Sequence, residues 1–418
     1  MDTTQLFLHR FKALITAEGE PSWKSSFRFF IFGSYLNLFL LFVPLSAIAH
    51  YLNWDAALRF SFSFIAIIPL AKLLGEATEQ MSSKLGQTLA GLLNASFGNA
   101  VEIIVGIAAL LQGELRIVQT SMLGSILSNL LLVLGCSFLA AGFKFSESNF
   151  QVTAAQASSS LMTLACITLV IPAAYQSTLL AKAEEAKAKL PALFFNTEDD
   201  VDQSGLLVIS RGTAILLLGV YVAYLCFQLK THAYLFEAEE QEADTPKMSV
   251  VSAGVALLAT TVVTSFCADY LVASIEETAK RYSIPKAFIG LILLPIVANA
   301  AEHVTSVWMA MKGQMELTIG ICVGSSIQIA TFVIPLLVIV GWIAGPGHEL
   351  TLFFANFETI SLFVSVFLVN TLIQQGRQVQ LHGRADAHHT VLRNCPGLLG
   401  HVIKSQPQSC SVAVPAST

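Results

Sequence analysis

LNASFGNAVEIIVGIAAL, residues 93–110, and LPIVANAAEHVTSVWMAM, residues 294–311, decide the fold of this chain. Asn99 aligns with Asn299 and Glu102 with Glu302, at a constant spacing of 200 residues. The same spacing pairs Glu76 with Glu276, Thr78 with Thr278, Gly113 with Gly313, Gly124 with Gly324 and Ser125 with Ser325. Apolar segments that resemble each other by chance match Leu with Ile. They do not match carboxylates, amides and glycines in unbroken register. The register marks an internal duplication.

Around these stretches the chain is 54% hydrophobic and 12% charged over 418 residues. A soluble domain carries about 25% charged residues, so this chain lacks the charge to cover a water-facing surface. About ten apolar runs are long enough to cross a hydrocarbon core of about 30 Å: 29–50, 56–75, 87–111, 118–142, 153–178, 206–229, 249–274, 286–311, 316–343 and 350–373. In lipid these must be helices, because each segment has to satisfy its own backbone groups. The expected fold is therefore an all-α integral membrane protein with the lipid bilayer as its solvent. From the second span on, each copy holds five helices. An odd number turns the second copy over, giving an inverted repeat preceded by one extra helix.

The expected plan is an N-terminus over 1–28, the extra helix over 29–55, a first repeat over 56–232 and a second over 249–375. Residues 1–26 are polar and lack the features of a cleavable signal. Between the repeats, at 233–248, EAEEQEAD supplies five carboxylates, Glu237, Glu239, Glu240, Glu242 and Asp244. They read as a solvated linker or as a regulatory, cation-attracting segment. Arg10, Lys12, Lys24 and Arg28 precede the first span and place the N-terminus, and by span counting the linker, in the cytosol. Lys280, Arg281 and Lys286 on the opposite side weigh against that orientation. After 375 the duplication calls for one more span. Residues 376–418 hold no apolar run of that length, so the second repeat is read as incomplete and the tail as disordered.

The chemistry follows from carboxylates inside apolar runs. A charge at a helix centre costs at least about 2.5–3.5 kcal/mol to insert and is rarely idle. In each copy Asn and Glu are three residues apart, on one helical face. Glu102, Glu302, Asn99 and Asn299 together offer hard oxygen ligands of the kind Ca²⁺ takes, six to eight at a time. Carbonyls freed near Gly98 and Pro295 would add to them. Ser125, Ser128 and Asn129 of GSILSN, and Ser325 and Gln328 of GSSIQ, repeat an inward polar spacing. They suit coordination of the ion, positioning of the glutamates, or interhelical hydrogen bonding. Two carboxylates that are neutral when protonated and cation-filled when ionised make protons and cation compete for one site, which is the chemistry of antiport. His303 is a candidate proton relay. Glu76 and Glu276 lie near span ends and suit either solvated ends or a cation funnel.

Composition excludes other classes. A net charge of −5 offers no basic patch for nucleic acid. Cys136, Cys166, Cys226, Cys267 and Cys322 sit in apolar segments without metal-ligand spacing. No nucleophile–base pair or phosphate loop is present, so neither an enzyme nor a bound cofactor is expected.

At these motifs the chain resembles the Ca²⁺/H⁺ exchanger (CAX) family of the cation/Ca²⁺ exchanger superfamily. FGNAVEIIVG with GSILSNLLLVLG is similar to its first signature, and ANAAEHVTSVWMAMKGQMELTIG onward to its second. The acidic linker resembles the family's central acidic helix. The resemblance implies a vacuolar exchanger that loads Ca²⁺, sometimes Mn²⁺, against H⁺, with Glu102 and Glu302 as the metal-binding pair. Ala298 stands where the family's second motif usually has glycine. Rival readings are a Na⁺-driven Ca²⁺ exchanger, a channel, and a membrane scaffold that does not transport. The oligomeric state is left open, a homo-oligomer included.

Overall fold

The structure is a computed structural model that describes residues 21–83, 85, 87–145, 150, 152–189, 200–232 and 247–383. The acidic residues Glu237, Glu239, Glu240, Glu242 and Asp244 lie outside the described residues.

Among the described residues every regular element is helical. α1 (Trp23–Phe32) and α2 (Phe42–Tyr51, after a 3₁₀ stretch Tyr35–Leu41) precede the repeats. The first repeat contains α3 (Ala56–Ser82), α4 (Gln87–Phe97), α5 (Ala100–Leu111), α6 (Leu115–Leu127), α7 (Leu134–Lys144), α8 (Val152–Lys189) and α9 (Asp200–Cys226). The second contains α10 (Val250–Tyr282), α11 (Lys286–Ala298), α12 (Ala300–Met311), α13 (Met315–Gln328), α14 (Ile334–Ala344) and α15 (Asn356–Gly383). Seven straight helical segments are long and apolar enough to cross a membrane, and nine if each of two bent pairs is one span. The remaining expected span, 87–111, is the pair α4 and α5, parted at Gly98 and Asn99. Large apolar side chains such as Phe266, Phe363 and Phe367 face outward, as a lipid-facing surface requires.

The duplication recurs in the backbone. Helices break at Asn99 and again at Asn299. Gly113 and Gly313 both take positive φ, 75° and 82°, a region that glycine enters without steric cost. The helix after each turn passes through a π turn, Ser128–Val133 and Ile329–Val333, before continuing. Packing between the copies is reciprocal: α5 lies on α14, and its counterpart α12 lies on α7. α3 packs along its own counterpart α10. Only an exchange of the two copies produces such pairs.

Two expectations need correction. The first span is not one helix over 29–50, nor does residue 28 end the terminus. α1 already starts at Trp23, and the chain turns by 87° before the helix that ends at Tyr51. Ser34 sits between them with extended backbone, its side chain accepting from Leu36 N–H, so a helix start interrupts the apolar run. The last helix also continues past 375 to Gly383, and residues 384–418 lie outside the described residues.

Candidate functional site

The two helix breaks build the site. Asn99 (φ −109°, ψ 32°) and Asn299 (φ −88°, ψ 10°) leave the helical path, and α5 and α12 restart one residue later. The restart places Glu102 and Glu302 in a first turn. There the unpaired N–H groups and the positive end of the helix dipole favour a carboxylate. Among the described residues no ion pair involves either one. Glu102 is buried and Glu302 half-buried, both lining the same cavity.

Polar partners cross between the copies. The Ser325 hydroxyl lies 2.9 Å from Asn99 Oδ1 and 2.9 Å from Glu302 Oε1. Asn99 Nδ2 donates to Gln328 Oε1 at 2.6 Å. In the other direction Asn299 Nδ2 donates to the Ser125 backbone oxygen at 3.3 Å. Each asparagine of one repeat therefore holds the polar helix of the other. Three side-chain oxygens of this neighbourhood, Asn299 Oδ1, Glu302 Oε2 and Asn129 Oδ1, are buried without a hydrogen bond of ordinary geometry, as is the Asn129 amide nitrogen. Native interiors leave few such atoms unpaired, so these three oxygens suit a ligand that oxygen can hold. No group of three His, Cys, Asp or Glu forms among the described residues. A cation here would take two carboxylates and complete its shell with neutral oxygens.

The structure brings Glu302, Asn99, Ser325 and Gln328 into direct contact, with Glu102, Ser125 and Asn299 beside them. Asn129 sits beside the Glu302 carboxylate, but its amide makes no hydrogen bond of ordinary geometry. His303 is not drawn in. It follows Glu302 in sequence but is absent from the cavity lining, because the next residue on a helix points about 100° away. Glu76 lines the cavity and pairs with Lys72, whereas Glu276 lies at the far end of α10 against Lys280. Their symmetric positions thus have different surroundings.

The cavity measures about 1200 Å³ and reaches both glutamates from the side of Gln80, Ser83 and Lys247. It separates α4 from α13, with Asn94, Phe97 and Gly98 on one wall and Gly324, Ser325 and Gln328 on the other. Across the site the equivalent helices, α11 and α6, are in contact. Between them remains a void of about 10 Å³ beside Glu102, lined by Ser121, Ser125, Leu294, Val297 and Ala298 among others. A Cβ placed on Gly124 would come within 2.3 Å of the Leu291 carbonyl oxygen, whereas one on Gly324 would meet nothing within 4 Å. The duplicated sequence paired these glycines only as register marks. Their unequal surroundings show one copy of the contact closed and the other open.

Residues 55–230 and 252–385 match the sodium/calcium exchanger protein family. This chain belongs to that family. The exchanger match is interrupted between 230 and 252, where the acidic linker separates the repeats. A vacuolar calcium ion transporter of Schizosaccharomyces pombe is 48% identical over 356 residues, 84% of this exchanger and 82% of the relative. A Ca²⁺/H⁺ antiporter of Aphanothece halophytica is 37% identical over 361 residues, 82% of this exchanger and 91% of the relative. The crystal structure of the selenium-substituted Ca²⁺/H⁺ antiporter protein YfkE overlays with a TM-score of 0.63 at 33% identity, covering 80% of this exchanger and 90% of that chain.

Proposed function

We propose that this chain is an antiporter of a vacuolar-type membrane that exchanges Ca²⁺ for H⁺ at Glu102 and Glu302, with Mn²⁺ as a second cargo of the same oxygens. The observation that carries this reading is the pair of carboxylates, with the unpartnered amide oxygens of Asn129 and Asn299 nearby, at the end of a cavity that one pair of helices leaves open and its equivalent closes. The relatives named above as a calcium ion transporter and as Ca²⁺/H⁺ antiporters support it.

Both ions use the same atoms. With two carboxylates ionised, the Asn99, Asn299, Ser325 and Gln328 oxygens supply neutral donors that a divalent cation of flexible geometry accepts. Without the cation, protons take its place. A serine hydroxyl carries one proton, yet Ser325 stands at bonding distance from two acceptors, Asn99 Oδ1 and Glu302 Oε1. The chain of bonds closes when Glu302 carries a proton and donates it to Ser325, which donates to Asn99, which donates to Gln328. The arrangement thus suits the proton-loaded site. Alternating access then follows if two inverted repeats exchange their open and closed contacts. On the orientation set by the N-terminal cations, the cavity faces the cytosol.

Uptake of labelled Ca²⁺ into vesicles holding the full chain tests this reading. Uptake should rise with an acid interior, collapse with a protonophore and ignore a Na⁺ gradient. Uptake that follows Na⁺ instead would make the chain a Na⁺-driven exchanger. Current without a proton gradient would make it a channel.

A further inference from the structure

The closed contact between α6 and α11 carries an ion pair that the matching positions of its open counterpart lack. Three layers hold the two helices together. Nearest Glu102, Gly124 admits the Leu291 backbone. In the middle, Gly290 admits Thr120, whose Oγ1 a Cβ would approach to 1.9 Å. At the rim, Lys286 Nζ donates to both oxygens of Glu114, at 2.9 and 3.0 Å. The pair is partly buried, with 34% of the Lys286 side chain and 19% of the Glu114 side chain exposed. Lys286 also lies 3.9 Å from Glu276, itself paired with Lys280 at 2.8 Å, which extends the rim to α10. Nearby Arg59–Glu277 and Arg281–Asp55 tie α10 to α3 and to the residue that caps α3, and neither pair crosses the α6–α11 seam.

Positions 200 residues away from Glu114 and Lys286 are Gln314 and Gly86. Neither side chain carries a charge, so closure of α13 on α4 cannot reproduce this pair at the matching positions. The two gates of a duplicated protein are therefore unequal, and the inequality sits at the rim, away from the ion-binding oxygens.

We propose that Glu114 and Lys286 form a one-sided latch that holds the α6–α11 gate shut and sets the resting state with the site open at the opposite face. The latch rests on the alternating-access reading above, but it acts on conformation and its test needs no transport. A two-point, charge-assisted contact between the moving helices is lost on opening. Its removal favours the open gate by whatever the pair contributes to the closed state alone.

The test uses the full chain in lipid nanodiscs, with a Ser121→Cys variant as reporter, a buried position on the small void between α6 and α11 beside Glu102. A charged, membrane-impermeant thiol reagent labels it only when the gate opens, and labelling of the chain without that substitution is subtracted. Adding Glu114→Gln should speed labelling by roughly 1.5- to fivefold, the range for a partly exposed pair screened by water. The reciprocal swap, Glu114→Lys with Lys286→Glu, should restore the slow rate. Labelling unchanged by Glu114→Gln, or as fast in the swap as in Glu114→Gln, overturns the latch. If Glu114→Gln does not fold, Lys286→Gln removes the same pair, and unchanged labelling there overturns it equally. Failure of Ca²⁺ uptake alongside the expected labelling would reject the exchange reading and leave the latch standing.

Discussion

Glu302→Gln lowers ΔpH-driven Ca²⁺ uptake by more than about 100-fold, and Glu102→Gln does the same, while both proteins insert and fold. An amide keeps the shape of the side chain and can donate to Ser325 as the protonated carboxyl does, so the network around Asn99 and Gln328 survives. It loses the full negative charge that a divalent cation requires in a site with only two carboxylates. A deficit of about 2.7 kcal/mol already corresponds to 100-fold in affinity. It also loses the exchangeable proton, so neither limb of the cycle runs. Stability moves the other way. A neutral amide costs less to hold away from water than a carboxylate, so the thermal midpoint of either variant should equal or exceed that of the parent. Labelled Ca²⁺ uptake and a thermal unfolding scan on the same preparations check both halves. Uptake kept by either variant would move the cation site off α5 and α12.

The legible part of this protein was what the duplication repeats. Asn99, Glu102, Asn299 and Glu302 could be named because a carboxylate in an apolar run is costly, and a cost met twice in register has a shared cause. Ser325 and Gln328 followed from the spacing of polar residues on a helix, and both reach Asn99 across the repeats. A linear reading falls short where neighbours in sequence are not neighbours in space. His303 adjoins Glu302 in the chain but lies on another face of α12. The run from 29 to 50 is apolar on average, so hydropathy does not register the bend, although Gly33 and Ser34 together carry a helix-stop and helix-start signal. The Glu114–Lys286 pair had no local signal: its members are 172 residues apart and break the symmetry that guided the rest.

Gly124→Ala and Gly324→Ala should both impair exchange, for opposite reasons that a stability measurement separates. In the state seen here the added methyl at Gly124 runs into the Leu291 carbonyl and Pro295, a backbone and a ring that have little room to give. Overpacking of this kind costs about 1–3 kcal/mol. The thermal midpoint should therefore fall, or the protein should shift to the state in which α6 and α11 separate. The methyl at Gly324 meets open space, so that variant should unfold at the parent temperature. Its penalty comes only when α13 closes on α4, as the duplication requires it to do in the other half of the cycle. A bias of about 1–3 kcal/mol between two states changes their ratio by roughly 5- to 150-fold, enough to strand each variant on one side of the membrane. Labelling at Ser121→Cys distinguishes them, rising with Gly124→Ala and staying at or below the parent rate with Gly324→Ala. Equal midpoints and equal labelling in the two variants would mean that these glycines do not form the paired gates. A fall in uptake with Gly324→Ala alone, at unchanged stability, would place the closed form of the cavity on the reaction path, because nothing in the open form touches that methyl.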